Sequence, residues 1–368
     1  MPKYNPIPLK DIQIDDSFWN GRIDTARKVS IDYMWRALND EVEGVPPSQC
    51  IGNFRIACGL QEGEFYGYRF QDSDLYKWLE AVSYSLETVP DAELQARAEG
   101  AIALIEGAQR ADGYLNTHVQ LKGLRPWGDL MTGHEMYCAG HLMEAAVAWK
   151  RATGQDNLLS VVRRLADHID STFGPEEGKM HGYPGHQEIV LGLYKLWKVT
   201  GEDRYLKMAK YFLDARGRQP YYYDLESKIR EEKGEPPIKY FRDHGPEPYS
   251  YQQAHLPVRE REHAIGHAVR ELYMLSGMAD VGDACDSSLL EAADRLYRDI
   301  EGSQMYITGG VGSMGDGEAF TFPYDLPNDR MYNETGASIA LMMLCQRLSN
   351  STGDGRYIDT MERALYNT

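Results

Sequence analysis

The fold is decided by the stretch TGHEMYCAGHLMEAAVAWKRATGQDNLLSVVRRLADHIDSTFG, residues 132–174. Its first half is a long apolar run that ends at Thr153-Gly154, and its second half opens at Gln155-Asp156 and carries charges on one side. A glycine after the last helical residue and an acid before the first one are helix stop and start signals. The stretch therefore predicts two helices joined by a tight turn, one buried nearly all round and one half exposed.

The same turn recurs along the chain. The phrases ATGQDNLL, VTGEDRYL and STGDGRYI stand at residues 152–159, 199–206 and 351–358, and apolar helices such as Ile189–Trp197 and Ile339–Leu344 precede the later two. Helix pairs that repeat about every 50 residues indicate a solenoid or a closed toroid. We therefore expect an all-α fold, an (α/α)6 toroid of inner and outer helices at residues 21–368, after a short extended arm at residues 1–20.

One long segment interrupts this pattern, and further helices are predicted before and after it. Residues 219–253 show no helical period, so we predict a loop there, with the charge run 228–235 in solvent and the tyrosines leaning over the cleft. Long insertions of this kind are often lids or linkers. Other helices are predicted at 22–38, at 92–110, from Glu260 to Gly277, and from Asn333 to Gly353.

Composition excludes several classes of partner. The chain has 368 residues and a formal net charge of −17, whereas nucleic acids and anionic membranes require a basic surface. Its five cysteines are scattered, which fits a reducing cytoplasm, and Cys138 and Cys345 are expected to be buried. No signal peptide or membrane span is apparent. We expect a cytoplasmic protein with a small carbohydrate partner; a homodimer is left open.

The predicted inner helices share one property: they begin with ionisable residues and then turn apolar. These residues are His134, His186, His263 with His267, and Glu334. In a toroid the inner helices run the same way, so their N-terminal ends meet at one mouth. Each residue alone has a structural explanation, such as a capping glutamate or a satisfied histidine. Together they predict one polar cavity.

A glycine-rich stretch, GGVGSMGDGEAFTFPYDLPNDRMYNETGAS at residues 309–338, adds a second carboxylate to this cavity. Glycines let a backbone approach a ligand closely. Glu318 lies among aromatic residues, where desolvation is expected to raise its pKa towards acid/base duty. Glycosidic cleavage needs such an acid and a second group on the other face of the sugar. Glu334 is expected to be a base, a nucleophile or a metal ligand.

Several ordered motifs carry a family resemblance. GHEMYCAGHL, PGHQE, GEAFTFPYDLPND, YNETGAS and MERALYNT resemble glycoside hydrolase family 127, whose best-known members are β-L-arabinofuranosidases. The likeness runs from about Leu9 to Thr368 and covers the helical catalytic domain in part, without the family's C-terminal β-sandwich domains. It implies Glu318 as general acid/base and His134, His186 and His267 as sugar contacts. Asn53 and His263 are assigned to the same substrate-binding group.

The resemblance also implies a zinc site, from which this sequence departs. Glu334 matches the glutamate ligand of that site, and its other ligands are cysteines, one of them the proposed nucleophile. Gly336 stands where one cysteine is expected, and the remaining cysteine pair would lie beyond Thr368. The chain is then a fragment or a member of a divergent branch. We expect no zinc cofactor, in which case Glu318 and Glu334 form the carboxylate pair or the nucleophile lies outside this chain.

Three functions follow from this pattern. The first is an exo-acting glycosidase that releases L-arabinofuranose or a related pectic sugar, with Glu318 as acid/base. The second is a sugar epimerase or isomerase on the same toroid that uses paired histidines, because fold alone does not separate the two. The third is a helical-repeat binding protein, which requires no carboxylate in the funnel.

Overall fold

The structure, a computed structural model, describes residue 4, residues 6–238 and residues 245–368. Its helices are α1 (Ser17–Thr25), α2 (Ile31–Leu38), α3 (Cys50–Ala57), α4 (Asp72–Thr88), α5 (Ala92–Ala108), α6 (Thr117–Leu121), α7 (Glu135–Thr153), α8 (Asn157–Thr172), α9 (Glu188–Thr200), α10 (Asp203–Ala215), α11 (Tyr222–Glu232), α12 (Ala268–Cys285), α13 (Ser287–Asp299), α14 (Thr335–Thr352) and α15 (Arg356–Asn367). Two short strands, β1 (Gly266–His267) and β2 (Ala319–Phe320), pair antiparallel.

The helices alternate between an inner and an outer layer. Inner helices α4, α7, α9, α12 and α14 pack each on the next, and each of them packs on the outer helix that follows it in the chain, namely α5, α8, α10, α13 and α15. The first and last helices also meet, because the rings of Trp19 and Tyr366 lie 5.6 Å apart. The chain is therefore an all-α toroid of the (α/α)6 type, and the fold prediction is confirmed.

The two layers differ in burial as their sequences predict. In α7 nearly every residue from Glu135 to Trp149 is buried, whereas α8 buries one stripe of Leu158, Val161, Val162, Leu165, Ala166 and Ile169. In α14 the agreement is partial, since the side chain of Ile339 is 49% exposed. The predicted turns are present: Gly154, Gly201 and Gly353 end α7, α9 and α14 in the left-handed conformation, which a glycine adopts without steric cost.

Two predicted boundaries are wrong for identifiable reasons. Helix α1 begins at Ser17, inside the predicted arm, because the Asp16 carboxylate caps it by accepting hydrogen bonds from the amides of Phe18 and Trp19. Helix α12 begins at Ala268, not Glu260, and continues past Gly277 to Cys285. Gly277 is not a cap: a Cβ there would lie 2.6 Å from Cγ1 of Val190. This glycine lets α12 approach α9 closely.

The prediction of a loop over the whole of residues 219–253 is also wrong. Helix α11 lies within it and includes part of the charge run, and residues 239–244 are outside the described part. One face of α11 buries Tyr222, Tyr223 and Glu226, while Lys228, Glu231 and Glu232 are exposed. The Glu226 carboxylate accepts hydrogen bonds from the amides of Leu130 and Met131, at 2.5 and 3.3 Å. The insertion therefore holds the loop that leads into α7.

None of the helices that the structure describes is both long and apolar enough to cross a bilayer.

The five cysteines are free, and Cys138 and Cys345 are buried, as expected. The fold thus places the chemically distinctive residues at the N-terminal ends of the inner helices rather than at a disulfide or a surface patch.

Candidate active site

A cavity of about 330 Å³ opens where the N-terminal ends of α7, α9, α12 and α14 meet. This volume lies at the lower end of the roughly 300–1,000 Å³ range of small-molecule pockets. The residues that line it are Phe70, His134, Tyr137, His186, Tyr251, His267, Val269, Arg270, Glu318 and Glu334. The structure thus brings together three of the predicted histidines and both predicted carboxylates, as the shared-cavity prediction requires. It does not test their roles.

The short sheet sets the position of Glu318. His267 of β1 pairs with Ala319 of β2, and the amide of Ala268 donates to the carbonyl oxygen of Glu318 at 2.9 Å. Across this register, Nε2 of His267 lies 3.2 Å from Oε2 of Glu318. The hydroxyl of Tyr332 donates to the other carboxylate oxygen at 2.8 Å. Both carboxylate oxygens of Glu318 therefore contact a hydrogen-bond donor of another side chain, while the Glu318 side chain remains 45% exposed.

The expected rise in the pKa of Glu318 is wrong. The hydrogen bond from His267 is the largest influence and lowers its pKa to about 2, helped by Tyr332 and opposed by burial. The pKa of His267 is itself lowered because burial outweighs the attraction of Glu318. A neutral His267 imidazole that donates a hydrogen bond to Glu318 accounts for both the lowered pKa of Glu318 and the lowered pKa of His267. Its Nδ1 accepts the amide hydrogen of Arg270 at 3.4 Å, so its proton is on Nε2 and is donated to the carboxylate.

Glu334 shows the opposite behaviour. Burial, and then the negative charge of Glu318, raise the pKa of Glu334. Its Oε2 is buried without a hydrogen-bond partner among the described residues, and the residue as a whole lines the cavity. The cavity therefore holds two carboxyl groups whose pKa values are pushed in opposite directions, a pattern typical of sites where two carboxyl groups have different roles.

The three histidines form a row along the cavity wall. The ring of His186 lies 5.7 Å from that of His134 and 5.8 Å from that of His267. Nδ1 of His134 lies 2.6 Å from the carbonyl oxygen of Thr132, so it carries the proton and Nε2 is an acceptor. Burial and the Arg270 guanidinium lower the pKa of His134 to about 3 and that of His186 well below its ordinary value. Neutral imidazoles suit hydrogen bonding to sugar hydroxyls.

Three residues at this site hold a backbone conformation that side chains disfavour. His134, Glu318 and Asn333, which precedes Glu334, have φ angles of 63°, 53° and 54°. A left-handed non-glycine residue costs about 1–3 kcal/mol, and six others lie elsewhere in the described chain, so the conformation alone does not identify the site. At His134 and Glu318 it belongs to a residue whose side chain lines the cavity.

Sequence reasoning missed Arg270, Tyr137 and Phe70. Arg270 and Tyr137 stand three residues after His267 and His134, in the first turns of α12 and α7, at the helix ends that meet at the cavity. Their distance from the two histidines could have identified Arg270 and Tyr137 in the sequence. No sequence pattern identifies Phe70, whose ring lies 5.1 Å from that of His134. Of the tyrosines expected over the cleft, Tyr251 lines the cavity, whereas Tyr223 packs in the core against Tyr183.

Two residues of the predicted substrate-binding group are not in the cavity. The His263 side chain is largely exposed and its Nδ1 lies 2.9 Å from the carboxylate of Asp299, because α12 starts at Ala268 and His263 precedes the sheet. Asn53 is fully buried, and its amide donates to the carbonyl oxygen of Tyr66 at 2.8 Å. It fixes the backbone of the neighbouring loop.

The residues around Glu334 do not form the zinc site that the resemblance implies. Gly336 offers no thiolate, and a Cβ at this position would lie 2.6 Å from Oε1 of Glu334. None of the five cysteines lines the cavity. Within the described residues, Glu334 therefore has no thiolate beside it, and a single carboxylate does not make a zinc site. No step proposed below passes through zinc.

A larger cavity, of about 710 Å³, lies on the outer surface between α8 and α10. Two of its ammonium groups are paired with carboxylates that also line it: Lys179 lies 3.4 Å from Glu176, and Lys210 lies 2.5 Å from Asp214. It contains no convergence of helix starts and no pair of carboxyl groups with opposed pKa shifts. We therefore assign the chemistry to the smaller cavity.

The Tyr332 hydroxyl provides a test of the electrostatics. Its hydrogen bond favours the ionised form of Glu318, so Tyr332→Phe should raise the pKa of Glu318. The limb of the pH profile of kcat that belongs to Glu318 in the substrate complex should then move to higher pH. Tyr324→Phe, at an exposed ring outside the cavity, is the matched control and should leave the profile unchanged. A profile that Tyr332→Phe does not move would contradict this assignment.

Comparison with known proteins decides the family. Residues 11–368 match the GH127 catalytic domain described as β-L-arabinofuranosidase. The chain belongs to glycoside hydrolase family 127. This GH127 chain is 41% identical over 376 residues to a non-reducing end β-L-arabinofuranosidase of Bifidobacterium longum subsp. longum, and the match covers 97% of this chain.

Two GH127 structures are similar throughout. A β-L-arabinofuranosidase from Geobacillus stearothermophilus T6 is 51% identical with a TM-score of 0.93, covering 97% of this chain and 55% of that one. A second GH127 β-arabinofuranosidase is 35% identical with a TM-score of 0.84, covering 98% and 54%. The curated relative is covered over 56% of its length. This GH127 chain therefore spans about half the length of the relatives it matches.

Proposed function

We propose that this GH127 chain carries the acid/base half of a glycosidase that releases β-L-arabinofuranose from the non-reducing end of its substrate. The observation that carries this proposal is the cavity itself, where Glu318 and Glu334 face three neutral imidazoles. Glycoside hydrolysis needs two groups on opposite faces of the sugar, and neutral donors and acceptors fix its hydroxyls. The names of the family relatives supply the sugar.

In this proposal Glu318 protonates the leaving oxygen as the glycosidic bond breaks and a nucleophile bonds to the anomeric carbon from the opposite face. Glu318, now ionised, then takes a proton from the water that displaces that nucleophile and releases the sugar. In the free protein its carboxylate is ionised, and the His267 and Tyr332 hydrogen bonds hold it in place. A sugar that fills the cavity excludes water from the exposed part of this side chain. Burial already acts to raise its pKa, so further desolvation favours the protonated form that an acid requires. Substrate binding and proton uptake are then linked.

Glu334 is the second carboxyl group that the described residues offer. It opens α14 at the cavity, and its raised pKa favours the protonated form before substrate binds. We propose that Glu334 orients the sugar or the attacking group through Oε2, the oxygen without a partner. This role uses the carboxyl group directly and does not depend on a metal.

The epimerase alternative requires a histidine that accepts a proton from a sugar carbon. Such a base works best when its pKa is near the working pH. Burial lowers the pKa of His134, His186 and His267, and the charge of Arg270 lowers each of them further. These imidazoles are better suited as hydrogen-bonding partners than as bases, which favours the glycosidase.

A panel of aryl glycosides tests the proposal. The protein should hydrolyse 4-nitrophenyl β-L-arabinofuranoside in preference to the α-L-arabinofuranoside and the β-L-arabinopyranoside. Incubation with free arabinose, glucose and cellobiose should give no isomer. Conversion of a free sugar without hydrolysis of any glycoside would reject the glycosidase in favour of the epimerase.

A further inference from the structure

A second cluster of ionisable residues lies beneath the floor of the cavity. His141 and Glu144 are on α7, and Glu188 is the first residue of α9. The exposed fractions of these residues are 5%, 3% and 0%. The ring of His141 lies 4.5 Å from that of Tyr137, which lines the cavity above. The glycosidase proposal assigns no role to this cluster.

Several polar atoms of the cluster lack a partner or have only each other. Neither ring nitrogen of His141 has a hydrogen-bond partner among the described residues, and the Glu188 carboxyl group shares a hydrogen bond with the Glu144 carboxyl group when one of the two is protonated. Leaving a buried polar group without a partner costs about 1–3 kcal/mol, and more when the group is charged. Nδ1 of His141 and the two carboxyl groups converge on one spot, so a ligand bound there would satisfy the imidazole and replace the proton that the carboxyl groups share.

The distances suit a metal ion. Nδ1 of His141 lies 3.5 Å from Oε1 of Glu188 and 3.9 Å from Oε2 of Glu144. The three groups each offer one ligand atom, and these atoms all lie within 4.8 Å of one another. Ligand atoms that bind a common zinc ion at about 2.0–2.2 Å lie roughly 3–4 Å apart. Only small side-chain movements are needed to reach this geometry.

The charges around the cluster also favour a divalent cation. Two buried carboxyl groups, those of Glu144 and Glu188, and the half-buried one of Glu80 face one ammonium group, that of Lys195, which contacts Glu144 and lies 3.5 Å from Glu80. With all three ionised, two negative charges are left over, which one divalent cation balances. Nearby Arg347 does not balance them because it pairs with Asp280 at 2.7 Å.

A further cation, Lys77, lies on the cavity side of the cluster. Its ammonium group donates to the hydroxyl of Tyr137 at 2.7 Å and is attracted by Asp74. It therefore does not supply the missing partner of His141 or Glu188. Burial, and then the charge of Glu144, raise the pKa of Glu188, so a bound metal must displace a proton from it.

We propose that His141, Glu144 and Glu188 bind one divalent transition-metal ion, with zinc as the best match to one imidazole and two carboxylates. The ion would join α7 to α9, the helices whose leading ends carry His134 and His186. Gly140 permits this junction, because a Cβ there would lie 2.6 Å from the backbone of Glu188. The site is enclosed, so its role is structural, and it is separate from the zinc site that the family resemblance places at Glu334.

The test measures metal content and thermal stability, not activity. The protein is stripped with a chelator under partly denaturing conditions, refolded with or without zinc, and desalted. We expect the wild-type protein refolded with zinc to bind about one zinc ion per chain at this cluster. Its Tm should be higher than that of the protein refolded without zinc. His141→Leu and Glu188→Gln should each lose that zinc and the Tm increase, and binding should weaken as pH falls.

Glu334→Gln is the control that separates the two candidate sites, because it removes the carboxylate of the other one. It should leave the zinc of the buried cluster and the Tm increase in place. Wild-type protein that refolds to the same Tm with and without zinc, and holds none, would overturn the proposal. Zinc that is lost in Glu334→Gln but kept in Glu188→Gln would overturn it as well. Neither readout depends on the sugar that the protein cleaves.

Discussion

Replacing Glu318 with glutamine should lower kcat/KM for methyl β-L-arabinofuranoside by roughly 10²–10⁴-fold, the usual contribution of a general acid/base. Glutamine is close in size to glutamate, and its carbonyl oxygen can still accept one of the two hydrogen bonds that His267 and Tyr332 donate. It has no proton to give to the leaving oxygen. The loss should therefore appear in the rate, while the thermal unfolding of the protein changes little.

The leaving group distinguishes an acid from a residue that only shapes the site. A 4-nitrophenolate leaves without much help from a proton, whereas an alkoxide does not. Glu318→Gln should thus affect 4-nitrophenyl β-L-arabinofuranoside far less than the methyl glycoside. Asp316→Asn, in the same turn but exposed and outside the cavity, should leave both rates unchanged. Equal losses on the two substrates would remove Glu318 from the acid role.

Replacing Arg261 with methionine should destabilise the fold by about 3–5 kcal/mol, the cost of leaving one member of a buried ion pair alone. Nη2 of Arg261 lies 2.6 Å from Oε2 of Glu271, and both side chains are fully buried. Glu271 is on α12, one turn beyond His267. The free energy of unfolding in urea measures the loss.

Two further variants show whether the loss comes from the uncompensated charge. Arg261→Met combined with Glu271→Leu removes both charges and should recover most of the stability, because apolar pairs replace buried ion pairs at little cost. Arg298→Met, in an exposed pair with Asp294, should cost about 0–1 kcal/mol. A double variant as unstable as Arg261→Met alone would show that packing, not charge, explains the effect.

The helical repeat and the shared cavity were predictable because both depend on local signals. Glycine caps such as Gly154 and Gly201 mark helix ends, and the ionisable residues His134, His186 and Glu334 mark helix starts. In a toroid, the order of the helices then determines which ends meet. The structure adds the distances between the residues that meet at these helix ends.

What the sequence could not supply depends on contacts between distant segments. The lowered pKa of Glu318 results from a two-residue sheet that sets His267 beside it, and no pattern within residues 309–338 reveals that pairing. Gly277 resembles a helix end until its contact with Val190 is known. Helix α11 was hidden because its second half carries several exposed charged residues and it buries only Tyr222, Tyr223 and Glu226, the last of which bonds to the loop before α7.

The most direct test of this account is a crystal structure of Glu318→Gln with methyl β-L-arabinofuranoside. We predict the sugar in the cavity at the N-terminal ends of α7, α9, α12 and α14, with its glycosidic oxygen within hydrogen-bonding distance of residue 318 and its hydroxyls on the histidine row. A sugar bound in the outer cavity between α8 and α10, or one whose glycosidic oxygen points away from residue 318, would contradict it.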